Sequence, residues 1–273
     1  MSDAIQEKVM LAKKWCEDTE MTAVLQGSVE NESTYCESGA VITGSVKKAD
    51  EADKELQKAV KAGSPAEAFK NAPLNGCLSV MTMARTKAGF DPTDIEDQNA
   101  AAKFVQYSKN LQSAPFFHLV SSDVSHLDRQ EKSWDKLINN VLDLYEGVSN
   151  ADKDSIRKSL GNIASAAMNK AGTKQTKNLF VQSEINYTEE IEVFVFWARI
   201  EMTYESGKST STQETVDISK LKLQFDKTMW PYYAEMVLKY NISFIEEWLK
   251  QNAVSQDNNA YKKVCFCKNL ADQ

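Results

Sequence analysis

The stretch Glu189–Glu214, EEIEVFVFWARIEMTYESGKSTSTQE, constrains the fold most, because its centre is apolar on both faces of any strand. Side chains of a strand alternate between the two faces of a sheet, so a strand with one solvent face alternates apolar and polar residues. Val193–Ala198 does not alternate, since every residue in it is apolar. The run is either a central strand covered on both sides or a strand suited to another apolar environment, such as a membrane. The sequence leaves both interpretations open.

Two further strands are predicted beside this run. In NLFVQSEINY, apolar residues alternate from Leu179 to Tyr187. Beyond Ala198 the pattern becomes one-sided, and the inward set is Ile200, Met202 and Tyr204. In ETVDISKLKLQF the apolar set changes face at Ser219, which predicts a bulge. Turns between the three runs predict a small, mainly antiparallel sheet over about residues 178–225.

The rest of the chain is predicted to be mainly helical, apart from an apolar strand or loop at SAPFFHLVSSDVSH. Helical spacing of apolar residues predicts amphipathic helices at residues 2–18, 74–88, 129–146, 151–171 and 228–250. We therefore expect an α+β fold in which amphipathic helices cover the sheet. The expected organisation is a single helix-rich domain over 1–273, with 1–172 mostly helical, strands at 178–225, a long helix at 228–250 and a tail at 253–273.

Composition limits the class of partner. The chain has 273 residues and a net charge of −7, so it repels polyanions as a whole and nucleic acid is not an expected partner. Five cysteines, an odd number at irregular spacing, favour a reducing environment over a disulfide framework. The beginning, MSDAIQEKVM, lacks a basic region followed by an apolar run. We therefore expect synthesis in the cytoplasm without a signal peptide.

No motif for catalysis stands out. The two histidines, His118 and His126, are eight residues apart and have no cluster of cysteines or carboxylates around them. GAVITGS has the glycine spacing of a phosphate loop but lacks the lysine that would follow Gly44. Cys265 and Cys267 could bind a soft metal, carry an acyl group or form a simple reduced pair. We expect no enzyme activity, no catalytic or metal-binding residue and no cofactor.

Two neighbouring features point to membranes. The segment DKDSIRKSLGNIASAAMNKAGTKQTK is a basic amphipathic helix in an acidic protein, and such helices can lie on anionic bilayers. The alternative is an ordinary solvated helix face. SGKSTSTQET places small hydroxyl residues between two strands, where they could cross an interface and line a pore. The alternative there is a flexible hairpin loop.

The order of these elements resembles the cytolytic δ-endotoxin-like proteins of bacteria and fungi over roughly residues 153–226. A basic small-residue helix runs into NLFVQS, the Trp/Phe-rich strand VFVFWARI follows, and then TVDISKLKLQF. The chain departs from that family in a long helical N-terminal half and in fewer strands after the helix. The resemblance implies helices wrapped around amphipathic strands, and disruption of membranes.

The functional hypothesis is a soluble cytolysin or virulence-type toxin that binds and permeabilises lipid bilayers. Its expected partner is a lipid membrane, where it would self-associate after release from the cell that makes it. The expected membrane-binding residues are Lys153, Arg157, Lys158, Lys170, Lys174, Lys177, Phe194, Phe196 and Trp197. The alternative hypothesis is a non-enzymatic, helix-rich interaction or storage protein whose sheet is simply its core.

Overall fold

A computed structural model describes residues 2–26, 40–44, 65–92, 97–131, 133–148, 150–169, 172–205 and 211–240. Its helices are α1 Asp3–Gln26, α2 Pro65–Lys70, α3 Pro73–Ala88, α4 Ala100–Ser113, α5 Trp134–Leu142, α6 Asn150–Met168 and α7 Trp230–Tyr240. Its strands are β1 Ala40–Gly44, β2 Phe117–Glu131, β3 Lys174–Asn186, β4 Glu190–Glu205 and β5 Ser211–Asp226.

The described strands form one five-stranded sheet in the order β1-β3-β4-β5-β2. Strands β3, β4, β5 and β2 pair antiparallel, and β1 joins the edge of β3 in parallel. The fold is therefore α+β, with a mainly antiparallel sheet, as the alternation predicts. The two edge strands lie outside the predicted limits of the sheet. Strand β2 comes from the segment predicted as a strand or loop.

Strand β4 is the central strand, and helices cover both of its faces. Val193, Val195 and Trp197 belong to a core that includes buried residues of α1, α2, α3, α4 and α7. We call this side of the sheet the α4 face. Phe194 and Phe196 belong to a second core, formed with α5 and α6, and we call that side the α6 face. The two-sided apolar run of β4 exists because both cores meet along it.

The predicted bulge at Ser219 is wrong. Strand β5 pairs with β4 in one continuous register from Ser211 to Asp226. Its apolar residues change face because the two helical layers are offset along the sheet. Val216 and Ile218 therefore belong to the α6-face core, whereas Leu221, Leu223 and Phe225 belong to the α4-face core. The register shift lies instead in β2, between Leu119 and Ser121.

Some predicted helices have different limits. The helix predicted at 129–146 begins only at Trp134, because β2 continues to Glu131 through backbone pairing with β5. The helix predicted at 228–250 is α7, whose described part ends at Tyr240. The rest of that prediction and the predicted tail, with Cys265 and Cys267, lie outside the described residues.

Candidate functional site

A long apolar row on β4 is the most distinctive feature of the α6 face. Every second residue from Phe194 to Tyr204 points to this side, and none of the six is charged. The row is Phe194, Phe196, Ala198, Ile200, Met202 and Tyr204. The first five are buried, and Tyr204 is half-buried. On the opposite side, the residues after Trp197 become polar: Arg199, Glu201 and Thr203. This half of β4 thus has one apolar and one polar side, as the sequence predicts.

Helices α5 and α6 form the cover of this row. From α6, the buried residues Ile156, Leu160 and Ile163 pack into the same core. The segment between the two helices is held against β4 by close contacts. The Tyr145 ring lies 5.0 Å from the Phe196 ring, measured between centroids.

Asp152 fixes the beginning of α6 to the sheet. Its carboxylate is buried and accepts a hydrogen bond from the Ser183 hydroxyl of β3. Ser183 shares the α6 face with Phe194, its partner in β4. This hydrogen bond between α6 and β3 anchors the cover at one end of the apolar row.

The outer surface of α6 carries three of the predicted membrane-binding cations. Lys153, Arg157 and Lys158 are all exposed. Arg157 Nη1 donates a 2.9 Å hydrogen bond to Asn139 Oδ1 of α5. These three cations therefore lie on the outer surface of the helical cover and not on the strands beneath it.

The other three predicted cations are not on this helix. Helix α6 ends at Met168, and Lys170 lies outside the described residues. Lys174 and Lys177 are exposed residues of β3, and Lys174 forms an ion pair with Glu201 of β4. The prediction of one continuous basic helix over residues 153–177 is therefore wrong. Helix α6 ends at Met168, and strand β3 begins at Lys174.

The three predicted aromatic residues are buried and do not share a surface. Phe194 and Phe196 point to the α6 face, and Trp197 points to the α4 face. Trp197 stacks on Phe104 of α4 with a centroid distance of 5.7 Å and an interplanar angle of 20°. In this structure, the three aromatic side chains pack in the two hydrophobic cores.

The sequence predicts a strand or loop in the segment that forms β2, but not the length of β2 or its exposed position at the edge of the sheet. Its residues from His118 to Gln130 are almost all exposed on both faces. Three apolar side chains stand out there, with exposed fractions of 50% for Leu119, 51% for Val120 and 74% for Val124. The apolar residues of FHLVSSDV gave the prediction of a strand or loop, whereas the edge position depends on pairing with β5.

Two glutamates are buried in the sheet. Among the described residues, neither carboxyl oxygen of Glu214 in β5 has a hydrogen-bond partner, and burial raises the pKa of Glu214 to about 8. Glu184 of β3 accepts a 2.6 Å hydrogen bond from Gln182, which in turn accepts one of 3.3 Å from Tyr107. Burial is the main reason that the pKa of Glu184 also rises to about 8. Both carboxyls are costly to ionise in place.

The described residues form no obvious metal-binding site. No group of three or more His, Cys, Asp or Glu side chains there could hold a metal ion. The His126 ring lies 2.6 Å from an Asp217 carboxylate oxygen on the exposed sheet surface. None of the described helices combines the length and apolarity needed to cross a bilayer.

The described part of the chain thus belongs to the α+β proteins with a sheet between two helical layers. A solved δ-endotoxin matches it with a TM-score of 0.40 and 11% identity, over 73% of this chain and 85% of that one. The Evf virulence factor matches with a TM-score of 0.38 and 14% identity, over 76% and 78%. These matches agree with the weak resemblance to δ-endotoxin-like proteins. At this level of similarity, nothing about activity follows. No protein-family model and no curated protein matches the chain.

Proposed function

We propose that this chain is a membrane-active protein of toxin or virulence type, which binds lipid bilayers and permeabilises them. The observation that carries the proposal is the apolar row of β4. Phe194–Tyr204 spans eleven residues, and a tilted strand needs about 9–11 residues to cross the hydrocarbon region of a bilayer. Beyond Trp197 the strand has one apolar and one polar side, which is the pattern of a strand placed between lipid and water.

The neighbouring strands have the length to accompany β4. Strands β2, β3 and β5 contain 15, 13 and 16 residues, whereas strands of globular proteins commonly have about 5–6. A lone strand in lipid leaves backbone groups without hydrogen bonds, so β4 can enter a bilayer only together with its partners. On this proposal, the paired strands move together.

The cover is the part that must move first. Helices α5 and α6 shield the apolar row, and the cations of α6 face outward. Lys and Arg near an anionic surface each contribute about 1 kcal/mol to binding. We infer a sequence of events in which α6 contacts the anionic headgroups, the cover separates from β4, and the exposed row enters the bilayer.

Release of a trapped dye from vesicles tests the proposal. Vesicles of phosphatidylcholine with phosphatidylserine should leak on addition of the full chain, and vesicles of phosphatidylcholine alone should leak less. Absence of leakage from both would favour the other hypothesis, an interaction or storage protein whose sheet never leaves its helices.

A covalent clamp tests the movement itself. The side chains of Asp152 and Ser183 touch across the interface between α6 and β3. Cysteines at these two positions, in a chain whose native cysteines are replaced, should therefore lie within reach of one another. The oxidised protein should stay folded and release no dye, and a reductant should restore release. Full leakage from the verified oxidised form would show that α6 does not need to separate from the sheet.

A further inference from the structure

Strand β2 is a long edge strand that lacks lysine and proline. In the order β1-β3-β4-β5-β2, no described strand lies beyond it. Natural edge strands are commonly short, or carry charged side chains (lysine above all), proline or a bulge that prevents pairing with another chain. Phe117–Glu131 has 15 residues and contains neither lysine nor proline. Its one register shift comes near the beginning, between Leu119 and Ser121.

The remainder of β2 is regular and accessible. From Ser121 to Glu131, each residue pairs in sequence with β5. Its side chains are mostly exposed on both sides of the sheet, apart from Leu127, which packs against the α6-face core. A second strand can therefore approach in the plane of the sheet and form a backbone ladder there.

The regular segment is complementary to itself. When two copies of Ser121–Glu131 lie antiparallel with His126 opposite His126, all eleven residues of each copy find a partner. This register places Asp123 opposite Arg129 twice, because the pairing is symmetric. Both residues lie on the α6 face, since they pair with Lys220 and Glu214 of β5. Opposed side chains then lie on the same face, where opposite charges directly across a ladder stabilise it.

The alternation of acidic and basic residues also extends to the neighbouring strand β5 in each copy. In one sheet Asp123 lies next to Lys220, and in the other Arg129 lies next to Glu214. The row formed by β5, β2 and the same two strands of the second copy therefore contains Lys220, Asp123, Arg129 and Glu214. Each basic residue in this row has an acidic neighbour. A register shifted by one residue loses this arrangement, because Asp123 and Arg129 would no longer oppose each other.

We infer that two copies of this chain associate through β2, in a symmetric antiparallel pair centred on His126. The two five-stranded sheets become one continuous sheet across the interface. The same surface patch serves both copies, as a two-fold dimer requires. This association does not depend on the proposed membrane activity, because it takes place in buffer without lipid.

Sedimentation equilibrium of the full chain in buffer is the first test. The expected mass is twice that of the 30.6 kDa chain, with a monomer appearing on dilution. A monomer mass at every concentration would overturn the inference. Liposome leakage does not enter this measurement, so failure of the proposed function leaves the result intact.

Charge reversal identifies the interface. Asp123→Arg places two arginine pairs across the ladder, and Arg129→Asp places two aspartate pairs there. Each variant should dimerise roughly ten- to a hundredfold more weakly than the natural chain. An equimolar mixture of the two variants should recover association, because a mixed dimer again has opposite charges at both contacts. Homodimers as strong as the natural one would refute this register, and so would a mixture that fails to recover association. Thermal melts of each variant alone verify folding.

Cross-linking tests the register directly. His126→Cys places two cysteines opposite each other, and directly opposed Cα atoms in an antiparallel pair lie about 4.5–5.5 Å apart, within disulfide range. Mild oxidation should give a covalent dimer. Ser122→Cys is the matched control, because it lies opposite Gln130 and about 26 Å along the ladder from its own copy. The natural chain measures any cross-linking by the native cysteines. Equal cross-linking of both variants, or cross-linking of neither, contradicts the His126 register.

Discussion

Gly147 lies so close to the Phe194 ring that a Cβ atom built on it would be 2.3 Å from Phe194 Cε1. The backbone of Gly147 also has a φ of 85°, a conformation that side chains rarely adopt. This contact is where the segment between α5 and α6 rests on β4. A side chain at position 147 would therefore lift the cover from one end of the apolar row.

Gly147→Ala is expected to lower the free energy of unfolding by about 1–3 kcal/mol, through steric overlap and backbone strain. If separation of the cover limits membrane insertion, the same variant should release dye faster. Denaturant melts and leakage rates check the two effects.

Substitutions at two other glycines separate the effect of steric overlap from the effect of backbone strain. Gly172 has a φ of 79°, and no atom of the described residues lies within 4 Å of an added Cβ, so Gly172→Ala tests backbone strain alone. Gly161 of α6 has no such φ and equally open space, so Gly161→Ala should stabilise the helix by about 0.5–1 kcal/mol. If Gly147→Ala behaves like Gly161→Ala, the contact with Phe194 does not constrain the cover.

The stability of the fold should decrease as the pH rises from about 5 to 8. Burial raises the pKa of Glu184 and Glu214 from 4.5 to about 8. In this range the folded chain keeps protons that the unfolded chain has released, so raising the pH favours unfolding, and the loss is complete above both values. Glu214→Gln and Glu184→Gln should each flatten the dependence. Urea melts at a series of pH values measure it, with Glu67→Gln at an exposed position of α2 as the control. Unchanged slopes in both variants would show that these carboxyls do not titrate in the folded chain.

Trp197→Ala should lower the free energy of unfolding by about 3–5 kcal/mol, the usual cost of deleting a large buried aromatic residue. Trp197 is almost fully buried and contacts the rings of Phe90 and Phe104. Tyr232→Ala, at a half-exposed position of α7, is the matched aromatic control and should change stability by less than about 0.5 kcal/mol. Equal denaturation midpoints for the two variants would mean that the α4-face core does not depend on β4.

Replacing the three cations of α6 with glutamine should weaken binding to anionic vesicles about a hundredfold, at about 1 kcal/mol for each charge. The substitutions are Lys153→Gln, Arg157→Gln and Lys158→Gln. Vesicle co-sedimentation at low salt measures the binding. The control removes the same charge from exposed positions of α1: Lys8, Lys13 and Lys14. Equal losses in both variants would show that net charge, rather than the outer face of α6, determines binding.

The centre of the sheet could be predicted because its signal is local. Six consecutive apolar residues from Val193 require cover on both faces, and alternation beyond Ala198 requires it on one. The same local signal failed at Ser219. If helices covered only one side of the sheet, a change of the apolar residues from one face to the other would require a bulge. Because helices cover both sides and are offset along the strand, the apolar residues change face without any shift in register.

The edge strand β2 and the end of α6 could not be predicted from local sequence, because both depend on contacts between residues distant in the chain. Strand β2 is largely polar and exposed, so its identity comes from pairing with a strand about 90 residues later in the chain. Helical periodicity likewise did not reveal that Lys174 and Lys177 pair with β4 as part of β3. The positions of the buried glutamates also required the packed structure, because carboxylates usually lie at the surface.

The pairing of β2 with β5 has a consequence for how the chain is made. The contact between the His126 ring and the Asp217 carboxylate joins residues that are 91 positions apart. By contrast, β3 and β4 are joined by a tight turn in which the Tyr187 N–H bonds to the Glu190 carbonyl at 2.9 Å. Local hairpins form in microseconds, whereas contacts distant in sequence slow folding. The sheet should therefore assemble from its middle outward. On the ribosome, β2 emerges long before its partner and waits as an unpaired strand, so mispairing between nascent chains is the hazard that this topology creates.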